Sequence, residues 1–166
     1  RVMLADAAII VFTSGSTGRS KGVVLSHKAF ARKLEAIDSK LGFSTETRAL
    51  LVLQISFVFG IWVTLLSLLK GGRLLLQPRF DALPVLEMLA KQHITDAAFV
   101  PTMLRRFLSL DRAISEPLTA CIKLDRILSG GEPLGPALSR QIRDFLPKTG
   151  LADIYGLTET CSSDFF

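Results

Sequence analysis

Cysteine and histidine are both scarce in this chain. Its 166 residues hold two of each, Cys121 and Cys161, His27 and His93. So few cysteines do not make a disulfide scaffold, and a reducing, cytoplasmic setting is the expectation. Neither cysteine stands at metal-ligand spacing from a histidine, and both histidines read as helix-terminal or surface residues, so no zinc or iron centre is expected. Acid is not in excess: 15 Asp and Glu face 20 Lys and Arg, for a net charge of +5. The basic residues are scattered, with Arg105-Arg106 and Arg32-Lys33 as the longest pairs, and no aromatics are interleaved among them. That pattern argues against nucleic acid and leaves a small anionic partner. Long apolar runs are missing too. The longest, Ile55 to Leu69, is interrupted by Ser56, Gly60, Thr64 and Ser67, and it is shorter than the ~18–20 residues a membrane span needs. No internal repeat or low-complexity segment breaks the chain.

What remains is a strongly apolar chain, 49% hydrophobic, long enough for one domain with a sizeable core. Strand patterns fall at Ala8–Phe12, Val23–Leu25, Leu50–Leu53, Arg73–Leu76, Asp96–Phe99, Asp125–Leu128 and Ala152–Tyr155. The first of these belongs to an apolar stretch, Ala7 to Val11, that reads as a buried strand. Helix patterns lie between them. Lys28 to Lys40 is amphipathic, whereas Phe57 to Leu69 is apolar all round and reads as buried. Pro84 to Gln92 follows Asp81 as a cap, with Pro84 in the first turn. Pro101 to Leu110 and Pro136 to Leu146 each begin with proline. Strand–helix alternation of this kind predicts an α/β fold, a mainly parallel sheet flanked by helices. Ligands of such sheets gather at loops beyond the strand C-termini.

The densest chemistry lies in Phe12-Thr13-Ser14-Gly15-Ser16-Thr17-Gly18-Arg19-Ser20-Lys21-Gly22. Glycines let the backbone bend close to an anion, free N–H groups and hydroxyls donate to phosphate oxygens, and Lys21 adds a compact positive charge. It is not a P-loop, because Ser20 stands where the second Gly is required and Gly22 where Ser or Thr is required. It is not the dinucleotide fingerprint either, since Thr17 replaces that motif's second Gly. A plain Ser/Gly turn between two strands is the bland reading. The density of hydroxyls ending in a lysine favours phosphate binding.

In its order, this run followed by Val23-Val24-Leu25-Ser26-His27 resembles the signature loop of the adenylate-forming (AMP-binding) enzymes, which include acyl-CoA synthetases, adenylation domains of nonribosomal peptide synthetases and luciferases. Ser20 departs from the proline usual before the lysine. Two further segments are similar to hallmarks of the family. Ser129-Gly130-Gly131-Glu132-Pro133-Leu134, by itself an ordinary turn ahead of a helix, matches a loop lining the adenine and acyl pockets. Asp153-Ile154-Tyr155-Gly156-Leu157-Thr158-Glu159-Thr160 matches the second signature. There Tyr155 offers a ring for purine stacking, and Thr158 a donor to the α-phosphate. Glu159 offers a hard oxygen to Mg²⁺, and Asp153 a partner for the adenine amino group. The resemblance spans nearly the whole chain but a minority of a full-length member, with Leu68–Arg73, Pro78–Asp81 and Val100–Met103 closest to the acyl-CoA synthetase branch.

The resemblance implies an N-terminal-domain fold and a two-step reaction. A carboxylate attacks ATP to give acyl-adenylate and pyrophosphate, and a thiol of coenzyme A or of a carrier-protein phosphopantetheine then takes the acyl group. Thr13, Ser14, Gly15, Ser16, Thr17, Gly18 and Lys21 would hold the outer phosphates. Gly130, Gly131, Glu132, Asp153, Tyr155 and Gly156 would hold adenine. Lys21, Thr158 and Glu159 would be catalytic, with Glu159 and Thr17 at the magnesium. Val58, Phe59, Trp62, Ala98, Ser129 and Ile154 would line the acid pocket. In amino-acid-activating relatives an Asp follows Phe to hold the ammonium, whereas here the pair is Phe57-Val58. An unpaired buried cation costs several kcal/mol, so a fatty or aryl acid without an α-amino group is expected. A His frequent near Phe57 in acyl-CoA synthetases is also missing. Alternatives are a domain that loads an acyl carrier protein within a synthetase, and a non-catalytic nucleotide-binding module. Residues 1–166 read as one partial adenylation domain excised from a longer chain, with the C-terminal domain outside it. Alone it is expected to be inactive.

Overall fold

The computed structural model describes residues 6–13 and 20–165. Two sheets form. An antiparallel ribbon pairs β1 (Ala7–Thr13) with β2 (Lys21–Ser26), and a five-stranded parallel sheet follows. The latter contains β3 (Arg48–Leu51), β4 (Arg73–Leu76), β5 (Asp96–Phe99), β6 (Arg126–Gly130) and β7 (Gly150–Ile154) in the order β4-β3-β5-β6-β7. The expected α/β architecture is present. The ribbon stands apart from the parallel sheet.

Right-handed crossovers fix where the helices go. The chain steps one way from β3 to β4 through α2 (Val58–Leu69), then back past β3 to β5 through α3 (Ala82–Lys91). The step direction stays the same through α4 (Pro101–Leu108), α5 (Arg112–Cys121) and α6 (Pro136–Phe145). So α2 and α1 (His27–Leu41) cover one face, and α3 to α6 belong to the other. Strand residues alternate accordingly. Leu50, Ala97, Phe99 and Ile127 join the core under α3, α4 and α6, while Ala49, Leu51, Ala98, Leu128 and Ile154 join Trp62 and Ile37 under α1 and α2. Burial of these side chains supplies the main stabilisation, about 1.5–3 kcal/mol for each large one. The step reverses between neighbouring strands β3 and β5, so a crevice opens beyond their C-terminal ends, where open α/β sheets bind ligands.

Four local features differ from the expectations. The β1 strand is not buried as a whole. Val11 packs inward, whereas Ile10 and Phe12 are 49% and 68% exposed. A two-stranded ribbon has two faces with alternating side chains, and only the Val11 face meets α1 and α2. Nor is α2 buried all round: Leu68 and Leu69 at its C-terminal end are exposed, because the helix overhangs the edge strand β4. The α3 helix starts at Ala82, and Asp81 sits at the N-cap without a side-chain bond. The α5 helix, which contains Pro117, has no counterpart among the expected elements. Asp111 caps it by accepting the Ala113 N–H at 2.9 Å. Both histidines are exposed beside helix ends. No helix among the described residues is long and apolar enough to cross a membrane.

Candidate functional site

The C-terminal ends of the parallel strands surround a cavity of about 340 Å³. Leu53 follows β3 and Val100 follows β5; Gly130 ends β6 with Gly131 just beyond it, and Ile154 ends β7. Phe57, Val58 and Phe59 at the start of α2 close one side, and Thr158 and Ser162 the mouth. None of these lining residues is charged. Gly130 is required by close approach: a Cβ there would stand 2.9 Å from the Ile154 carbonyl oxygen and 3.2 Å from the Phe59 ring. A second cavity of about 400 Å³ shares Gly131, Ile154 and Gly156 with the first and adds Glu132, Pro133, Asp153, Tyr155 and Leu157. Tyr155 is 59% exposed, and its ring stands at a tilt 6.1 Å from that of Phe165, so an aromatic face is free for a flat ligand. A larger hollow of 460 Å³ between α4, α5 and α6 lies away from this rim and contains none of the motif residues.

The expected pocket residues divide between rim and interior. Val58, Phe59 and Ile154 line the apolar cavity. Trp62 does not reach it. Fully buried, its ring stacks behind Phe59 at a centroid distance of 5.2 Å, and its Nε1–H has no partner. Ala98 is buried within β5, two residues before the lining Val100. Ser129 points to the opposite face of the sheet from Leu128, because strand side chains alternate, and its buried hydroxyl also lacks a partner. The positions that pattern reading passed over, Leu53 and Val100, are readable from the strand order as the residues just past the reversal. Glu132 lines the second cavity, and its two carboxylate oxygens share the Thr102 hydroxyl at 3.1 Å each. That contact ties the Gly130–Gly131 loop to the start of α4. Asp153 stands on the same cavity wall, where desolvation raises its pKa above the ordinary 3.8.

Of the Ser/Gly loop, Ser14, Gly15, Ser16, Thr17 and Gly18 lie outside the described residues. Thr13 and Lys21 pair across the open end of the ribbon, and Lys21 is exposed. The ribbon seats against the segment after Tyr155. Val11 and Leu25 share one apolar cluster with Phe30, Val58 and Cys161. The two motif-bearing segments therefore flank one rim. Thr158–Thr160 form a single 3-10 turn, with Thr158 half-buried at the mouth of the apolar cavity and Glu159 exposed. The described residues contain no cluster of three metal-ligating side chains. Glu159 on its own fits Mg²⁺, which keeps several waters and takes one or two carboxylates alongside substrate phosphates.

The arm after this turn is strained. Cys161, Ser162 and Ser163 all have left-handed backbones, with φ of 65°, 67° and 56°, each costing about 1–2 kcal/mol. Bonds on both sides hold it. Ser162 N–H donates to the Leu157 carbonyl and Asp164 N–H to that of Tyr155, both at 2.7 Å, and Tyr155 and Phe165 exchange bonds at 3.1 Å. The Asp164 carboxylate takes the Lys33 ammonium of α1 at 2.8 Å and the Thr160 hydroxyl at 2.5 Å. Burial pushes this carboxyl up, but the Lys33 and Thr160 contacts outweigh it and hold the pKa below 3.8. Burial raises the Cys161 thiol, against the pull of Lys33 and with a further push from Asp164.

The sequence model described as "AMP-binding enzyme" matches residues 2–165. The chain is 32% identical to 2-succinylbenzoate–CoA ligase, chloroplastic/peroxisomal, of Arabidopsis thaliana, over 95% of this chain and 28% of that protein. It is also 32% identical to tyrocidine synthase 3 of Brevibacillus parabrevis, over 93% of this chain and 2% of that protein. Among solved structures, ATP-bound MatB from Rhodopseudomonas palustris superposes with a TM-score of 0.79 at 31% identity, over 95% of this chain and 30% of that one. The chain thus spans less than a third of the length of these relatives.

Proposed function

Because the chain belongs to the AMP-binding enzyme family, we propose that it is the ATP- and acid-gripping part of an acid–thiol ligase. Its substrate is a fatty or aryl acid without an α-amino group. Two bond exchanges make up the reaction. A carboxylate oxygen attacks the α-phosphorus of ATP, and the bond to the bridging oxygen breaks, releasing pyrophosphate. The thiol of coenzyme A then attacks the acyl carbon, its proton is lost, and the bond to AMP breaks. The protein's part in both steps is positioning and charge stabilisation.

In this reading the Tyr155 ring stacks the purine, Asp153 meets its amino group, and the Gly130–Gly131 backbone lies against it. Thr13 and Lys21 hold the outer phosphates together with Ser14–Gly18. Thr158 donates to the α-phosphate from the mouth of the acid cavity, where nucleophile and phosphorus must meet. Glu159 would hold Mg²⁺, which when bound neutralises triphosphate charge. Two free cysteines, one exposed and one buried, accord with a reducing, cytoplasmic setting.

The observation that carries the acid class is the uncharged lining of the first cavity, with Val58 only 8% exposed within it. An ammonium there would be buried without a partner, at a cost of several kcal/mol. The test is acid-dependent ATP–pyrophosphate exchange by the full protein across fatty, aryl and amino acids. Exchange with apolar acids and none with α-amino acids is expected; preference for an amino acid refutes the reading. The equal likeness to a CoA ligase and to tyrocidine synthase 3 supports a second reading, in which the acceptor is a carrier-protein phosphopantetheine. Thioester formation on coenzyme A against a loaded carrier protein separates the two.

A further inference from the structure

We propose that Lys33, Asp164 and Thr160 form a brace that fixes the Thr158–Glu159 turn relative to the Lys21 ribbon, so that Lys33 and Asp164 are positioning residues for the triphosphate. The inference rests on the ATP-binding reading above and assigns it two residues that no motif contains.

The geometry carries it. Asp164 uses both carboxylate oxygens, one on the Lys33 ammonium at 2.8 Å and the other on the Thr160 hydroxyl. Thr160 Oγ1 in turn accepts the Leu157 N–H at 3.3 Å. The network therefore runs from the side of α1 to both ends of the turn that carries Thr158 and Glu159. The α1 helix is continuous with β2, because Ser26 ends the strand and caps the helix by accepting the Ala29 N–H at 3.2 Å. Lys21 begins that same strand. One end of the brace is thus rigidly tied to the lysine and the other to the hydroxyl and the carboxylate.

An ordinary surface ion pair would not do this, since exposed pairs are weak and mobile. Here both side chains are about four-fifths buried, at 21% and 23% exposure, and they join segments 131 residues apart. The arm they hold contains three successive left-handed residues and a buried Ser163 hydroxyl with no partner. Such a backbone persists only where its surroundings over-determine it. Released from these contacts, the arm would no longer fix the Thr158–Glu159 turn that it follows.

The test uses the full protein with ATP affinity measured by calorimetry in the presence of magnesium, beside acid-dependent exchange. K33M and D164N are each expected to weaken ATP about tenfold, and the double variant to be no weaker than either single one, as coupled partners require. K33R restores affinity to within about threefold, because the guanidinium also donates to a carboxylate. The KM for the acid stays unchanged. ATP affinity within twofold of wild type in both single variants overturns the brace, as does loss of ATP and acid affinity in parallel with a lowered melting temperature. Wild type that binds ATP without exchanging pyrophosphate refutes the ligase reading alone, and the brace is still judged by the affinities. Wild type that binds no ATP overturns both.

Discussion

Replacing Gly156 by alanine separates the stability of this protein from the geometry of its site. A Cβ at Gly156 would stand 2.1 Å from the Ser163 backbone nitrogen and 2.7 Å from the Ser162 carbonyl carbon. Ordinary contact between such atoms is about 3.5 Å, so the arm must retreat by more than about 1 Å. Both obstacles are backbone, so no rotamer change relieves them. Four inter-segment backbone bonds are at stake: Ser162 and Asp164 N–H to Leu157 and Tyr155, and the reciprocal pair of Tyr155 with Phe165. At a net value of about 1 kcal/mol each, their loss costs about 4 kcal/mol. The same retreat frees three left-handed residues, returning about 3–6 kcal/mol. The two terms nearly cancel, so the melting temperature is expected to move by no more than about 5 °C. Activity behaves otherwise. A misplacement of ~1 Å in Thr158 and Glu159 is expected to lower kcat/KM for ATP about 100-fold. Cys161, buried at 5% exposure, becomes reactive to a thiol reagent at the same time. Scanning calorimetry, pyrophosphate exchange and thiol labelling read the three effects. A melting temperature lowered by more than about 10 °C with full activity per folded molecule would refute the reasoning.

V58D puts a carboxylate in the side wall of the apolar cavity. It is expected to lower activity on apolar acids at least about tenfold and to admit exchange with an α-amino acid, whose ammonium then finds a partner. F59A removes a ring that touches Gly130 and stacks on Trp62. A stability loss of about 2–4 kcal/mol in urea melts and acceptance of longer or bulkier acids in the exchange assay are expected together. The Asp164 pKa is lower folded than unfolded, so its pairing stabilises the native state above about pH 3.8 and that contribution is lost as pH falls through the folded value. D164N should therefore cost up to about 1 kcal/mol at pH 6 and progressively less as the pH falls below the ordinary carboxylate range, as followed by urea unfolding against pH.

Much of the fold was legible because each parallel strand is a short apolar run bounded by polar turns, and proline or an acid marks several helix starts. Five of the six helices follow from pattern. The missing α5 contains Pro117, which reads as a helix breaker, although Ile114, Leu118 and Cys121 stand at helical spacing around it. The β1 strand looked like a buried strand because Ile10 and Phe12 are apolar, and composition does not distinguish the two faces of a ribbon. In the site, the motif segments themselves supply the rim. The inward members of the acid pocket were harder, since Ser129 and Trp62 required knowing which way each side chain faces and what stands between it and the cavity. The Lys33–Asp164 contact lay beyond pattern altogether, because it joins residues 131 apart and neither lies in a motif.

The antiparallel ribbon is a separate sheet, seated on the rim through Val11 and Leu25, whereas the acid cavity is framed by the ends of four parallel strands. On the proposed function, the ribbon that would hold the outer phosphates therefore has its own foundation, whereas purine, α-phosphate and acid would share the ends of β6 and β7. Changes at Val58 and Phe59, at the start of α2, would retune acid choice and leave the nucleotide side alone, whereas a change at either strand end would be felt by both ligands.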